Sequence, residues 1–377
     1  MKQGRSILQL AQELERQRMV RRDYLTDTRN LVVKTIVGIS NLTLNMDGTV
    51  ETFILNELAH KQIADRLQIP FRYYSKMRME QPSLLDENIN GWFNEAPERR
   101  MLRILDGNVR AFLSDRYRRL DNLELADAVL PIINEMKSAE IISSQITETH
   151  MYIKVINKKL KAEVTVGDIV QAGIVISNSE VGLGSLKVEP LLYRLVCRNG
   201  LIVKDYAQKR YHVGKQIESD DSAYELFSDE TLAQDDKAFF MKVQDTVRTA
   251  IDEVKFHLSV EKLRATMEER TGPDPVKTVE ILADTYALSQ NERGGILRHF
   301  IMGADNSKYG LINAVTRASQ DVEDYARATD LERLGGELFA LSPVKNKLFV
   351  SNPSAIAADK SNNNLIQLDM MKLTTGA

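Results

Sequence analysis

The rhythm of hydrophobic positions changes several times along the chain, and each change marks an element. Ile7, Leu10, Ala11 and Leu14 recur three and four apart. That spacing predicts an amphipathic helix with a basic end at Arg16, Arg18, Arg21 and Arg22. Val32, Val33, Ile36, Val37, Leu42 and Leu44 are the β-branched and aliphatic residues of strands over residues 30–55, with Asp47-Gly48 as a hairpin turn. Residues 56–79 predict two short helices broken at Ile69-Pro70. Val109, Ala111 and Leu113 alternate with Arg110 and Phe112, a strand that sets Arg110 and Phe112 on one face. Asp121 with Glu124 three residues on is a capping-box pattern for a helix buried along Leu125, Val129, Ile132 and Ile133.

Strand periodicity is strongest from Met151 to Ser177. There Met151, Ile153 and Val155, and then Ala162, Val164 and Val166, alternate with polar residues, and Gly167-Asp168 turns the chain. Short connections make such strands pair antiparallel. Pro190 followed by Leu191, Leu192, Leu195 and Val196 predicts a helix that ends at Asn199-Gly200. Cys197 then falls on its buried side. A three-four rhythm through Phe240, Val243, Val247, Val254 and Leu258 predicts one long helix. A second stripe, Leu311 to Tyr325, is expected to stop at Gly335-Gly336. The fold class that follows is α+β. An antiparallel sheet flanked by helices fills the N-terminal two-thirds, and a mostly α-helical C-terminal region follows. The expected domains are 1–215, basic α+β; 216–350, acidic and helical; and 351–377, an Asn-, Ser- and Ala-rich flexible tail.

Charge sharpens that division. Residues 1–215 carry 32 Lys and Arg against 26 Asp and Glu, whereas the remainder carries 18 against 27. The split suits a first part that meets a polyanion, or simply two domains of opposite charge. Arg99, Arg100, Arg103, Arg110, Arg116, Arg118 and Arg119 are opposed in sequence only by Asp106 and Asp115. Guanidinium groups beside aromatic rings suit single-stranded nucleic acid, whose phosphates need charge and whose bases need flat surfaces.

Several classes lose support. No GxxxxGK[ST], GxSxG or HExxH pattern occurs, and the five histidines are scattered without ligand spacing. Gly182-Leu183-Gly184 reads as a turn, and Trp92 as a packing anchor. The expectation is therefore a protein that is not an enzyme, with no cofactor, no metal and no catalytic residue. The lone Cys197, the absence of an apolar leader and the absence of a long apolar run lead to a cytoplasmic protein with no membrane partner.

The segments AHKQIADRLQIPFRYYSKM, NINGWF, VRAFLSDRYRRLDN, NSEVGLGSL, YRLVCRNGLI and NAVTRASQDVEDYARATDLERLGG together resemble a phage/plasmid-like family catalogued as a domain of unknown function. The resemblance implies a bacteriophage or mobile-element source and action in a bacterial cell. It brings no catalytic residue. A fold-level resemblance links residues 144–200 to Rad52-like single-strand annealing proteins, which implies DNA binding and a homo-oligomer. Within residues 56–79, QIADRLQIP resembles the first helix and turn of a helix-turn-helix unit, although Gln68 stands where glycine is common; a plain helical hairpin is the simpler reading.

The expected function is thus DNA binding, single-stranded by preference, with annealing in recombination or replication. The candidate contacts are Arg72, Tyr73, Tyr74, Lys76, Arg78, Arg103, Arg110, Ser114, Arg116, Tyr117, Arg118, Arg119, Asn178, Arg194, Asn199, Lys209 and Arg210. Two alternatives stand beside it. One is a protein-interaction or structural factor, an anti-defence inhibitor or an assembly scaffold, working through the acidic half. The other is a metal-dependent nuclease using Asp168, Glu180 and Glu189.

Overall fold

The computed structural model describes residues 2, 4–46, 48–115, 117, 119–184, 186–203, 229–249 and 253–341. It has an α+β architecture built on two sheets. The first has strand order β1-β5-β6-β4-β3-β2, with β1 Arg22–Asp27, β2 Leu31–Ile36, β3 Ile39–Met46, β4 Thr49–Leu55, β5 Arg99–Leu105 and β6 Asn108–Ser114. All its pairings are antiparallel except β4 with β6. Alternation along β2 places Leu31, Val33 and Thr35 inward. Three helices cover that face: α1 Ile7–Val20 lies elsewhere, and α2 Glu57–Arg66, α3 Phe71–Glu80 and α4 Pro82–Glu95 supply Ala59, Ile63, Ala64, Tyr74, Met77, Leu85, Ile89 and Phe93 to the core.

The outer edge of β2 is closed by side chains. The Asn90 amide accepts from the Val33 N–H and donates to the Val33 carbonyl, both at 2.8 Å, so it imitates a neighbouring strand. Asp86 accepts the Thr35 N–H at 2.7 Å. An edge satisfied in this way offers no free ladder to another chain.

The second sheet is a meander, β11-β10-β9-β8-β7, with β7 Ala139–Ile146, β8 Met151–Thr165, β9 Asp168–Asn178, β10 Lys187–Arg194 and β11 Asn199–Ile202. Helices α1, α5 Asn122–Glu135 and α6 Asp229–Thr249 pack over Ile153, Val155, Ile174 and Ile176. Helices α7 Glu253–Ala265, α8 Pro275–Thr285, α9 Gln290–Gly303, α10 Lys308–Ala318 and α11 Tyr325–Ala340 share a core with Val164, Val170, Ala172, Leu192 and Leu201. The expected boundary at 215 lies outside the described residues; strands up to Ile202 and helices from Asp229 on share these cores. The expected tail, 351–377, lies outside the described residues.

Three local expectations are corrected. Residues 190–200 form β10, a turn and β11 instead of a helix: Leu191 and Leu192 pair with Gly173 and Ala172, and Pro190 pairs with Ile174. Cys197 accordingly sits half-buried near the turn rather than inside a helix. The long stripe from Phe240 to Leu258 falls on α6 and α7, with residues 250–252 outside the described ones, and does not face one core: Val243 and Val247 enter one core, Phe256 and Val260 another, and Val254 and Leu258 are exposed.

Gly335-Gly336 does not end a helix but lies inside α11. A Cβ on Gly336 would stand 1.8 Å from the Ile202 carbonyl oxygen, and one on Gly335 would stand 2.4 Å from a Thr316 methyl. Absence of side chains at these positions lets α11 lie flush on β11. The same helix carries Glu332, whose carboxylate meets the Lys154 ammonium at 2.5 Å with both side chains buried. Burial pulls the Lys154 ammonium below its ordinary value, while Glu332 opposes that shift.

Gly336→Ala is expected to lower stability by about 3 kcal/mol or more, since backbone must move to admit one methyl group. Gly294→Ala in α9, where nothing lies within 4 Å, is expected to be neutral or to stabilise by about 0.5–1 kcal/mol. Urea unfolding of both variants measures the contrast.

Candidate nucleic-acid interface

The arginines of residues 99–119 do not gather on one open surface: among those described, Arg103 and Arg110 are buried, Arg100 is half-buried, and Arg99 and Arg119 are exposed. Arg103 on β5 is completely buried. Its guanidinium donates to Asp23 at 3.1 Å, to Asp121 at 2.6 Å and to the Glu180 carbonyl at 2.9 Å. Burial works against its charge, but Asp121 and Asp23 outweigh it and hold the guanidinium above its usual pKa.

Arg110 lies within β6 where Arg103 pairs with Ala111 but Ile104 pairs with Val109, so it is the extra residue of a β-bulge. The bulge breaks the alternation that would have set Arg110 beside Phe112. Phe112 enters the core and stacks on Phe93 with 5.7 Å between ring centres. Arg110 instead reaches Glu180 at 2.7 Å. Arg21 completes the group, 2.7 Å from Asp121 and 3.7 Å from Glu180. Three arginines thus meet three carboxylates where the two sheets join.

That meeting also replaces the expected capping box. Asp121 makes no side-chain cap on α5, because its carboxylate is held by Arg103 and Arg21. Glu180 accepts the Asn122 N–H at 2.7 Å in its place. Around this centre, Gln62 of α2 donates to the Val181 carbonyl at 2.8 Å and accepts the Phe112 N–H at 2.7 Å. Gly182, at φ +79°, turns the Gly182-Leu183-Gly184 segment against Leu113.

Other sequence candidates are likewise engaged. Tyr74 is buried and shares a 2.8 Å hydrogen bond with His60 Nδ1. Arg78 reaches Glu57 at 2.9 Å. Tyr117 donates to the Ser179 carbonyl at 3.1 Å and packs beside Met101, Ala111, Leu113 and Val181, so it is no free stacking platform. Asn178 donates to the Leu120 carbonyl and to Asn122. Arg194 is tied to Asp168 at 2.5 Å and lies over Tyr309, and Asn199 donates to Thr316 at 2.6 Å. Arg116, Arg118, Lys209 and Arg210 lie outside the described residues. The three carboxylates considered for a metal are apart: Asp168 goes to Arg194, Glu180 to Arg110 and Glu189 to Arg333.

What stays outward is a smaller set. Ser114 is exposed at the end of β6, and Arg119 is exposed although 3.6 Å from Asp23. Arg72, Tyr73 and Lys76 stand on the outer face of α3 while Tyr74 and Met77 on its inner face fix the helix. Lys76 lies 3.7 Å from Glu80, and Arg72 meets no carboxylate among the described residues. Trp92 is half-exposed beside the buried Phe93, an anchor only in part.

The unit that carries α3 has the anatomy suggested by its sequence. Gln68 N–H donates to the Asp65 carbonyl and Ile69 N–H to the Ala64 carbonyl. These are the paired bonds of a Schellman motif, and Gln68 takes the required left-handed conformation at φ +55° without being glycine. A four-residue turn then starts α3 at Phe71, with Arg72 and Tyr73 in its first turn.

Two measurements test this geometry. Burial pushes the His60 imidazole down to about 4, so it is neutral in the fold. The unfolded chain then binds the extra proton between pH 6.5 and 4, and stability is expected to fall by roughly 3 kcal/mol as pH drops through that window. A His60→Gln variant should show a flatter pH dependence in thermal melts. Arg103→Met should cost about 3–5 kcal/mol in urea unfolding, because it leaves Asp23 and Asp121 buried without their partner.

No curated protein and no solved structure matches the chain. Residues 111–341 match the family described as Domain of unknown function (DUF932). This span takes in the end of β6, the second sheet and the helices packed on it, with Arg110 just before it and Asp121, Glu180, Lys154 and Glu332 inside it. The match covers more than half of the sequence, and the chain belongs to that family.

Proposed function

We propose that this protein binds nucleic acid, single-stranded DNA before other forms, and that it does so without catalytic chemistry. The observation that carries the reading is the outer face of α3. Arg72 stands there free of carboxylates among the described residues, next to Tyr73 and one turn from Lys76, on a helix locked by buried Tyr74 and Met77. A guanidinium and an ammonium can hold successive phosphates while an exposed phenol ring accepts a base by stacking. Rigid placement on a helix lowers the cost of ordering these side chains on binding. Arg119 adds charge at the rim of the buried arginine group. Annealing of complementary strands, in the recombination or replication of a bacteriophage or other mobile element, is the setting this reading fits, with a homo-oligomer as the working form inside the bacterial cell.

A second reading draws on the open face of β2, β3 and β4. Val32, Ile36, Ile39, Val50 and Ile54 are all exposed there, and Lys34 is the one charged residue at the outward positions of these strands. Such depletion of charge suits a protein-interaction factor.

Fluorescence anisotropy with a labelled oligonucleotide at a series of salt concentrations tests the first reading. Affinity is expected to fall linearly on a log–log plot as counterions are released. Replacing Arg72 and Lys76 together by Ala should reduce that slope by about 1.4 for a single strand, with the thermal midpoint kept. Absence of binding at low salt would reject the reading and leave the sheet face as the working surface.

A further inference from the structure

The hairpin between β2 and β3 turns through Val37 and Gly38, both at positive φ, +50° and +75°. A two-residue hairpin turn of this kind calls for Asn, Asp or Gly at its first central position. The same sheet builds an equivalent turn between β5 and β6 with Asp106 at φ +50° and Gly107 at +75°. Val37 is β-branched, and its side chain resists the left-handed region. No packing among the described residues offsets that strain, because Val37 is 91% exposed. A strained apolar residue held out into solvent has no part in the core that the described residues form, so its contact is sought beyond them.

Its surroundings say which contact. Ile36 and Ile39, the last paired residues of the hairpin, are each more than half exposed. Gly38 lies against Met79 of α3: a Cβ there would stand 2.9 Å from the Met79 sulfur. Met79 is exposed and follows Arg72 and Lys76 at helical spacings of seven and three, so the turn extends the strip that carries those cations. Lys34 lies on the open face of β2; the acids nearby are Glu80, beside Lys76, and Asp86, which is held by the Thr35 N–H and hydroxyl. An apolar tip next to positive charge is complementary to a polyanion whose bases can be parted by a wedge.

We propose that the Val37 turn is such a wedge: it inserts between two neighbouring bases of a bound single strand while Arg72 and Lys76 hold the flanking phosphates. This rests on the nucleic-acid reading above and names how that surface engages its ligand.

The test uses the full chain and an oligonucleotide carrying 2-aminopurine, whose fluorescence rises when it is unstacked. Wild type is expected to raise that fluorescence on binding. Val37→Asn puts a residue suited to positive φ at the turn, so its thermal midpoint should rise by a few degrees. Affinity should nevertheless fall about tenfold and the fluorescence rise should disappear. Wild-type affinity and fluorescence in Val37→Asn would overturn the wedge while leaving the nucleic-acid reading intact, since Arg72→Ala would still weaken binding. No binding by wild type overturns both. Val37-dependent binding to anionic lipid vesicles without binding to the oligonucleotide overturns the wedge in favour of a membrane contact.

Discussion

Where the two sheets join, Arg21, Arg103 and Arg110 face Asp23, Asp121 and Glu180 away from water, and the placement of most other parts follows from that balance. A guanidinium without exposure is tolerable only with carboxylates in contact and its remaining donors satisfied. Arg103 meets both conditions through two acids and a carbonyl. The partners come from β1, from β5 and β6, from the start of α5 and from the segment after β9. The network is therefore formed only when both sheets are in place. It holds the N-terminal unit to the part of the chain that defines the family, and Arg110 reaches across that line.

The same balance decides which charges are available for a ligand. An arginine whose hydrogen bonds are spent on buried acids cannot also hold phosphate. Outward positive charge remains on Arg99 and Arg119 and on side chains that project from α3, where short polar contacts along the helix do not neutralise Arg72. The second half of the molecule spends its polar groups in a similar way. Lys154 with Glu332 and Arg333 with Glu189 fasten sheet to helix, and Arg194 with Asp168 ties β10 to β9. Glycines 335 and 336 bring α11 close enough for the first of these pairs to meet. Among the described residues no helix is long and apolar enough to cross a membrane.

Periodicity carried far in this chain. Alternation at Met151 to Val155 marks a strand that does pair antiparallel, and Ile63 and Ala64 mark the buried side of α2, whereas Tyr74, expected among the outward contacts, lies on the buried side of α3. It fails at residues 190–200, where consecutive leucines fit a buried strand as well as a helix and a proline suits the first turn of a helix as well as a strand. It failed again at Gly335-Gly336, because glycine serves close helix–strand contact as readily as it ends a helix. The stripe through Val254 and Leu258 keeps helical spacing although both residues face solvent, and spacing alone does not say which side of a helix is covered.

By itself, then, the sequence determined the α+β class, most strand and helix positions and the clustering of arginines before position 120, since these follow from residues a few places apart. Only the tertiary structure decided which of those arginines are free. Asp23 and Glu180 stand about eighty residues on either side of Arg103, and a single bulge turns Arg110 away from Phe112. Neutralisation of a charge depends on distance in space, and pairing of sheets brings together acids that local patterns cannot associate with their partners.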